Sequence, residues 1–148
     1  MKHWIAILFL LTGHLSLSQS DYPEHFTRDA LRIDLLLAGD AGEEVVYLRQ
    51  MKKERYWAGP ESHLVRPFGY GNHQVRVTDT TGEKIFYSRG FSTLFGEWQT
   101  TAESSQKSRA FQHTIRIPFP RHPVMVQLKQ RGADEPVLWE HRIDPQNY

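Results

Sequence analysis

Apolar and polar positions alternate along most of the chain from residue 31 onward. Leu31, Ile33, Leu35 and Leu37 are separated by Arg32 and Asp34, with only Leu36 out of step. Successive side chains of an extended backbone point to opposite faces, so this period of two marks a strand with one face on a core and the other in water. Gly39-Asp40-Ala41-Gly42 supplies turn chemistry, and Val45 to Met51 reads as the second strand of a hairpin-like pair. Val75 and Val77 alternate with Gln74, Arg76 and Thr78. Asp79-Thr80-Thr81-Gly82 then turns the chain into Ile85, Phe86 and Tyr87, the clearest hairpin in the sequence.

Further along, Phe111, His113, Ile115, Ile117 and Phe119 alternate with Gln112, Thr114 and Arg116. Pro118 and Pro120 lack a backbone donor, so the ladder is expected to stop there. Val124, Val126 and Leu128 repeat the alternation, Gly132 to Glu135 turns again, and Val137 to Ile143 supplies a last strand before Asp144-Pro145. No stretch carries a sustained 3.6-residue apolar repeat, and only Thr100 to Lys107 has room for a short helical turn. Strands joined by short polar turns, without crossover helices, pair antiparallel. The expected fold is all-β, an antiparallel two-sheet β-sandwich of about seven strands.

The amino terminus follows a different pattern. Met1-Lys2-His3 precedes an apolar run from Trp4 to Leu11 and a small-residue stretch ending Ser16-Leu17-Ser18. This is a signal-peptide pattern over residues 1–18, with cleavage as late as residue 20, and it predicts export to the periplasm or the extracellular space. A spanning helix needs about 20 apolar residues, so no transmembrane anchor is expected from a run this short. Residues 19–148 form one expected domain. About 130 residues bury roughly two-thirds of their unfolded surface, enough for a core without staples. There is no cysteine, which removes disulfides and thiol catalysis.

Loss of the leader takes away Lys2, leaving 17 basic against 17 acidic side chains. A neutral domain lacks the excess positive charge that phosphate contacts demand, so nucleic acid is not an expected partner. The six histidines of the exported chain, His25, His63, His73, His113, His122 and His141, include no His-Glu-x-x-His, and no metal site or cofactor is expected. His113 lies on the apolar face of its strand and is read as a hydrogen-bonded core residue. Ser88, Ser92 and Ser108 lack the Gly-x-Ser-x-Gly elbow. Glu97 and Glu103 offer two carboxylates, the residue type that glycoside hydrolysis uses in pairs, but spacing alone assembles no site. No catalytic residue is therefore assigned.

Aromatic side chains are more informative. Tyr56, Trp57, Phe68, Tyr70, Phe91, Phe95 and Trp98 fall in segments read as loops or strand ends. Such rings either cap the open ends of a sandwich or, exposed, form a platform for a partner protein or a glycan.

The contiguous run Tyr87-Ser88-Arg89-Gly90-Phe91-Ser92-Thr93-Leu94-Phe95-Gly96-Glu97-Trp98-Gln99-Thr100-Thr101, followed by Glu103, is of mixed chemistry that strand patterning does not generate. With Leu31-Arg32-Ile33-Asp34, Tyr56-Trp57-Ala58-Gly59, Pro67 to Gly71 and Ile143-Asp144-Pro145, it resembles the amino-terminal domain of secreted IgA-peptidase-type metallopeptidases of gut bacteria. The resemblance implies a non-catalytic β-sandwich that precedes a zinc peptidase domain, and a role in folding, orienting or targeting that peptidase. The implied partners are the peptidase catalytic domain, in the same longer frame or as a separate chain, or a host or extracellular protein. A carbohydrate-binding module is the rival expectation. Trp57, Arg89, Phe91, Phe95, Glu97 and Trp98 are the candidate binding or docking residues. Gly90 and Gly96 are expected to permit backbone conformations that a β-carbon would strain, and Arg89 is expected to pair with Glu97.

Overall fold

A computed structural model describes residues 21–66, 68–132 and 134–148. The leader and its cleavage point lie outside the described residues. A single helical turn, α1 (Tyr22–His25), leads into β1 (Phe26–Gly39) and β2 (Glu44–Glu54), then β3 (His73–Thr78) and β4 (Ile85–Phe91). A short helix α2 (Leu94–Gln99) and a 3-10 turn (Ala102–Ser105) precede β5 (Arg109–Pro120), β6 (Val124–Gln130) and β7 (Val137–Ile143). These make two sheets, ordered β2-β1-β5 and β4-β3-β6-β7, with every neighbouring pair antiparallel. The fold is the all-β, seven-strand sandwich that the alternation predicts.

Leu31, Ile33, Leu35 and Leu37 are wholly buried and meet Val75, Val77, Val126, Leu128 and Ile143 from the facing sheet. Each such side chain stabilises the fold by roughly 1.5–3 kcal/mol on burial. Leu36 points the other way and is half-buried, as its place in the alternation requires. On that outer face Asp34 accepts hydrogen bonds from Arg32 Nε (2.9 Å), Thr114 Oγ1 (2.7 Å) and Gln50 Nε2 (2.6 Å). The bond from Arg32, then those from Thr114 and Gln50, hold its carboxyl well below the usual carboxylate range. Arg116 pairs with Glu54 beside them, so the outer face is knitted across all three strands.

Two boundaries differ from expectation. β5 continues through Pro118 and Pro120 instead of stopping, pairing them with Ala30 and Phe26 across a register shift in β1. β5 is an edge strand, so a proline there forfeits no bond to a second neighbour. β4 runs on through Phe91, placing Ser88 to Phe91 on a strand rather than in a loop. The expected helical turn within Thr100 to Lys107 is present at Ala102–Ser105, but it is not the only one: α1 and α2 are helical as well. Thr93 and the apolar Phe95 and Trp98 give α2 the cap and the buried face that the expectation missed.

β2 lies against β7, which leaves β4 and β5 facing each other at the opposite margin of the sandwich.

Candidate functional site

A groove of about 370 Å³ opens at the β4–β5 margin. Trp57, Arg89, Phe91, His113 and Ile115 line it, with Tyr56 at the loop that covers it. Strand alternation explains the β4 contribution: Tyr87, Arg89 and Phe91 share one face, and Tyr87 is buried while Arg89, nearer the open margin, is exposed.

The covering loop is fixed by local bonds. Tyr56 has φ 64°, a left-handed conformation that turns the chain back after β2. Trp57 N then donates to Arg28 O (2.7 Å), and its indole Nε1 donates to Pro60 O (3.1 Å). A β-carbon on Gly59 would lie 2.1 Å from the Trp57 ring, so only glycine lets the chain pass so close to the indole. The ring meets Tyr87 edge to face, centroids 5.9 Å apart at 83°.

Phe91 lines the groove and lies nearly parallel to two imidazoles. It stacks on His113 (4.9 Å, 9°) and more distantly on His73 (6.0 Å, 17°). His113 makes no hydrogen bond among the described residues, so it is a wall of the groove rather than the hydrogen-bonded core residue that the sequence suggests. Burial, and then the neighbouring His73, push its pKa down. Neutral imidazole carries one donor and one acceptor, so His113 adds polar capacity to an otherwise apolar wall. The signal for it was its place on the inward face of β5, two positions from the apolar Ile115.

The six candidate residues separate into two groups. Trp57, Arg89 and Phe91 converge on the groove. Phe95 and Trp98 do not: they are buried on α2 against Phe111 of β5, at 6.1 and 5.7 Å. Thr93 Oγ1 caps α2 by accepting from Gly96 N (2.9 Å), and Gln99 Nε2 reaches back to Asp40 O (2.9 Å) in the β1–β2 turn. α2 is thus a brace over one end of the sandwich. Glu97 is exposed on it and forms no ion pair with Arg89 among the described residues.

Glu103 plays the fixing role instead. Its Oε2 accepts from Trp98 Nε1 (3.0 Å), and its Oε1 from Arg109 Nη2 (2.7 Å) and Lys107 Nζ (3.1 Å). These donors, Arg109 foremost, lower its pKa to about 2. A carboxylate so held does not serve as a general acid near neutrality, which leaves the Glu97 and Glu103 pair without catalytic geometry.

The glycines act by leaving space rather than by special φ. A β-carbon on Gly90 would lie 2.1 Å from Tyr70 O, and one on Gly96 would lie 1.9 Å from Asn72 Nδ2. Left-handed φ is needed instead at Gly71 (69°), where the 70–72 segment crosses β4 against the Phe91 carbonyl. The signature run is therefore one tightly crossed unit, joining β4 to α2 over Asn72.

The family described as the peptidase M64 N-terminus matches residues 21–140, a span that takes in β1 to β6, the start of β7, the groove and the brace. The chain belongs to that family. M64 is the IgA-peptidase-type family, so the resemblance carried by Tyr87 to Thr101 holds over most of the chain. The matched part of an M64 peptidase is its non-catalytic N-terminus. No curated protein matches the chain. Among the described residues of this M64 N-terminal domain, no three His, Asp or Glu side chains gather where they would hold a metal ion. No described helix is long and apolar enough to cross a membrane.

Proposed function

We propose that this chain is an exported accessory domain that docks the peptidase catalytic module through the β4–β5 groove and its Tyr56 to Gly59 cover. The observation that carries the reading is convergence: Trp57 from a loop, Arg89 and Phe91 from β4, and His113 from β5 all line one cavity. Membership of a peptidase family supplies the partner class. The buried brace of Phe95 and Trp98 keeps β4 and the 70–72 crossing in register, so the groove is preformed and docking costs little ordering entropy.

Titrating an M64 catalytic domain into this chain, followed by size exclusion and tryptophan fluorescence, tests the reading. Arg89→Ala, exposed in the fold, is expected to keep the melting temperature and weaken the complex. Unfolding by that single change would make Arg89 part of the architecture instead, and an unaffected complex would move the docking surface elsewhere. A glycan-binding role draws support from the exposed rings of Tyr56, Phe68 and Tyr70. It predicts that soluble glycans shield tryptophan fluorescence from quencher.

A further inference from the structure

We infer that the β4–β5 groove receives an extended peptide segment carrying an apolar or aromatic side chain next to a carboxylate. This rests on the docking reading and deepens it by giving the chemistry of the docked segment.

Charge comes first. Among the described residues no Asp or Glu lines the groove, while Arg89 and Arg116 do. Arg116 is neutralised by Glu54 on the outer face of its sheet. Arg89 is exposed and in no ion pair among the described residues. It sits beside the Tyr87 phenol, whose pKa burial raises and the guanidinium of Arg89 partly restores, with Arg66 acting in the same direction. A guanidinium has five N–H donors, so the Tyr87 contact leaves Arg89 enough to take a carboxylate in two-point fashion. An arginine outside ion pairs, in a lining with no acid among the described residues, is complementary to an anion.

The rings then say what accompanies the anion. Stacking on a sugar needs a free ring face, but Phe91 already stacks with two imidazoles, His113 and His73. The Trp57 ring packs against Tyr87 and Gly59, and its indole N–H is taken by Pro60 O. What remains is ring edges together with Val75 and Ile115, a surface suited to an aliphatic or aromatic side chain rather than a pyranose.

The backbone favours a peptide. β5 is the margin of its sheet, so its outward row of N–H and C=O groups has no strand partner among the described residues. Across the groove, the edge of β4 away from β3 carries, among the described residues, a parallel bridge between Val65 and Ser88. An added strand along β5 would supply main-chain bonds, while its alternate side chains enter the groove.

The test uses the full chain and two probes, acetyl-Ala-Phe as the free acid and as the C-terminal amide, followed by NMR shifts of the His113 ring and by Trp57 fluorescence. The free acid is expected to give saturable shifts, with the amide weaker by about tenfold or more, the worth of a charge-assisted hydrogen bond. Arg89→Gln should bring the acid down to the level of the amide, and Arg116→Gln should leave it within about threefold. Because the comparison of acid with amide needs no variant, a folding defect in Arg89→Gln does not blunt it. Equal binding of the two probes, no binding of either, or saturable binding of glucuronate in their place would overturn the inference. If an M64 catalytic domain still docks in an Arg89-dependent way when both peptides fail, the chemistry assigned here is wrong and the docking reading survives. If the peptides bind and the catalytic domain does not, the docking reading is the one that fails.

Discussion

His73 Nε2 lies 2.8 Å from Glu44 Oε1 inside the sandwich, joining β3 of one sheet to β2 of the other. Both side chains are almost wholly removed from water, 1% and 3% exposed. His73 Nδ1 faces Asn72 Oδ1 at 2.8 Å, so the ring meets an oxygen at each nitrogen. Glu44 Oε2 has no hydrogen-bond partner among the described residues. Asn72 in turn packs against Gly96 of α2, which makes this polar contact the junction between the two sheets and the brace.

Breaking that junction on one side strands a buried polar group. Glu44→Ala is expected to cost about 1–3 kcal/mol in urea unfolding, the range for leaving a buried hydrogen-bonding group without its partner. Glu44→Leu combined with His73→Phe removes both partners and should recover most of the loss. Equal losses in single and double variants would show that the pair is not coupled.

Glu103 gives a pH signature at the brace. Its pKa is lowered from the ordinary 4.5 to about 2 by Arg109, Trp98 and Lys107. A depressed carboxylate adds stability above its unfolded value and loses it as pH falls through the folded one. The gap in melting temperature between the native chain and Glu103→Gln should therefore be constant from pH 7 to about 5 and shrink towards pH 2. A gap that does not change over this range would contradict the role given to Glu103.

His113 titrates with the same slope for a different reason. Burial disfavours its charged form, so protons bind the unfolded chain more readily once pH drops below the ordinary histidine value of 6.5. Stability should fall as pH is lowered from 6.5 through its folded pKa, and part of that slope should vanish in His113→Gln. Chemical denaturation at a series of pH values from 7.5 to 5 measures it, as estimated from the ordinary histidine range. A slope unchanged in His113→Gln would place the titration elsewhere.

The glycines permit a cleaner comparison. Gly82 has φ 81° with open space around it, whereas Gly71 has φ 69° with the Phe91 backbone 2.1 Å from where a β-carbon would sit. Gly82→Ala should cost only the left-handed penalty, about 1–2 kcal/mol. Gly71→Ala adds the displacement of β4 and should cost clearly more, with the His113 ring shifting as Phe91 moves. Equal costs would mean the 70–72 crossing yields without strain.

Strand alternation made the fold legible. Leu31 to Leu37, Val75 and Val77, Phe111 to Phe119 and Val124 to Leu128 each present one apolar face, and a core must cover such faces in any all-β arrangement. Sheet order was not legible, because nothing local to Arg89 or His113 says that β4 and β5 share a margin. That order builds the groove, and it turned His113 from a core residue into a wall. Composition singled out Trp57, Phe91, Phe95 and Trp98 together, yet only the pairing of β5 with β1 separates the two that line the groove from the two that brace α2. The clasp of His73 and Glu44 spans 29 residues of sequence, beyond the reach of any spacing rule. Gly90 and Gly96 were recognisable as necessary, but the atoms that require them, Tyr70 O and Asn72 Nδ2, come from another segment.

The measurement that bears most directly on the docking claim is a hydrogen-exchange footprint of this chain with and without an M64 catalytic domain. Slowed exchange confined to residues 56–59, 89–91 and 113–116 is the result expected if the β4–β5 groove is the docking surface. Slowed exchange over the outer face of the three-stranded sheet or over α2 alone, or no change at saturating partner, would contradict it.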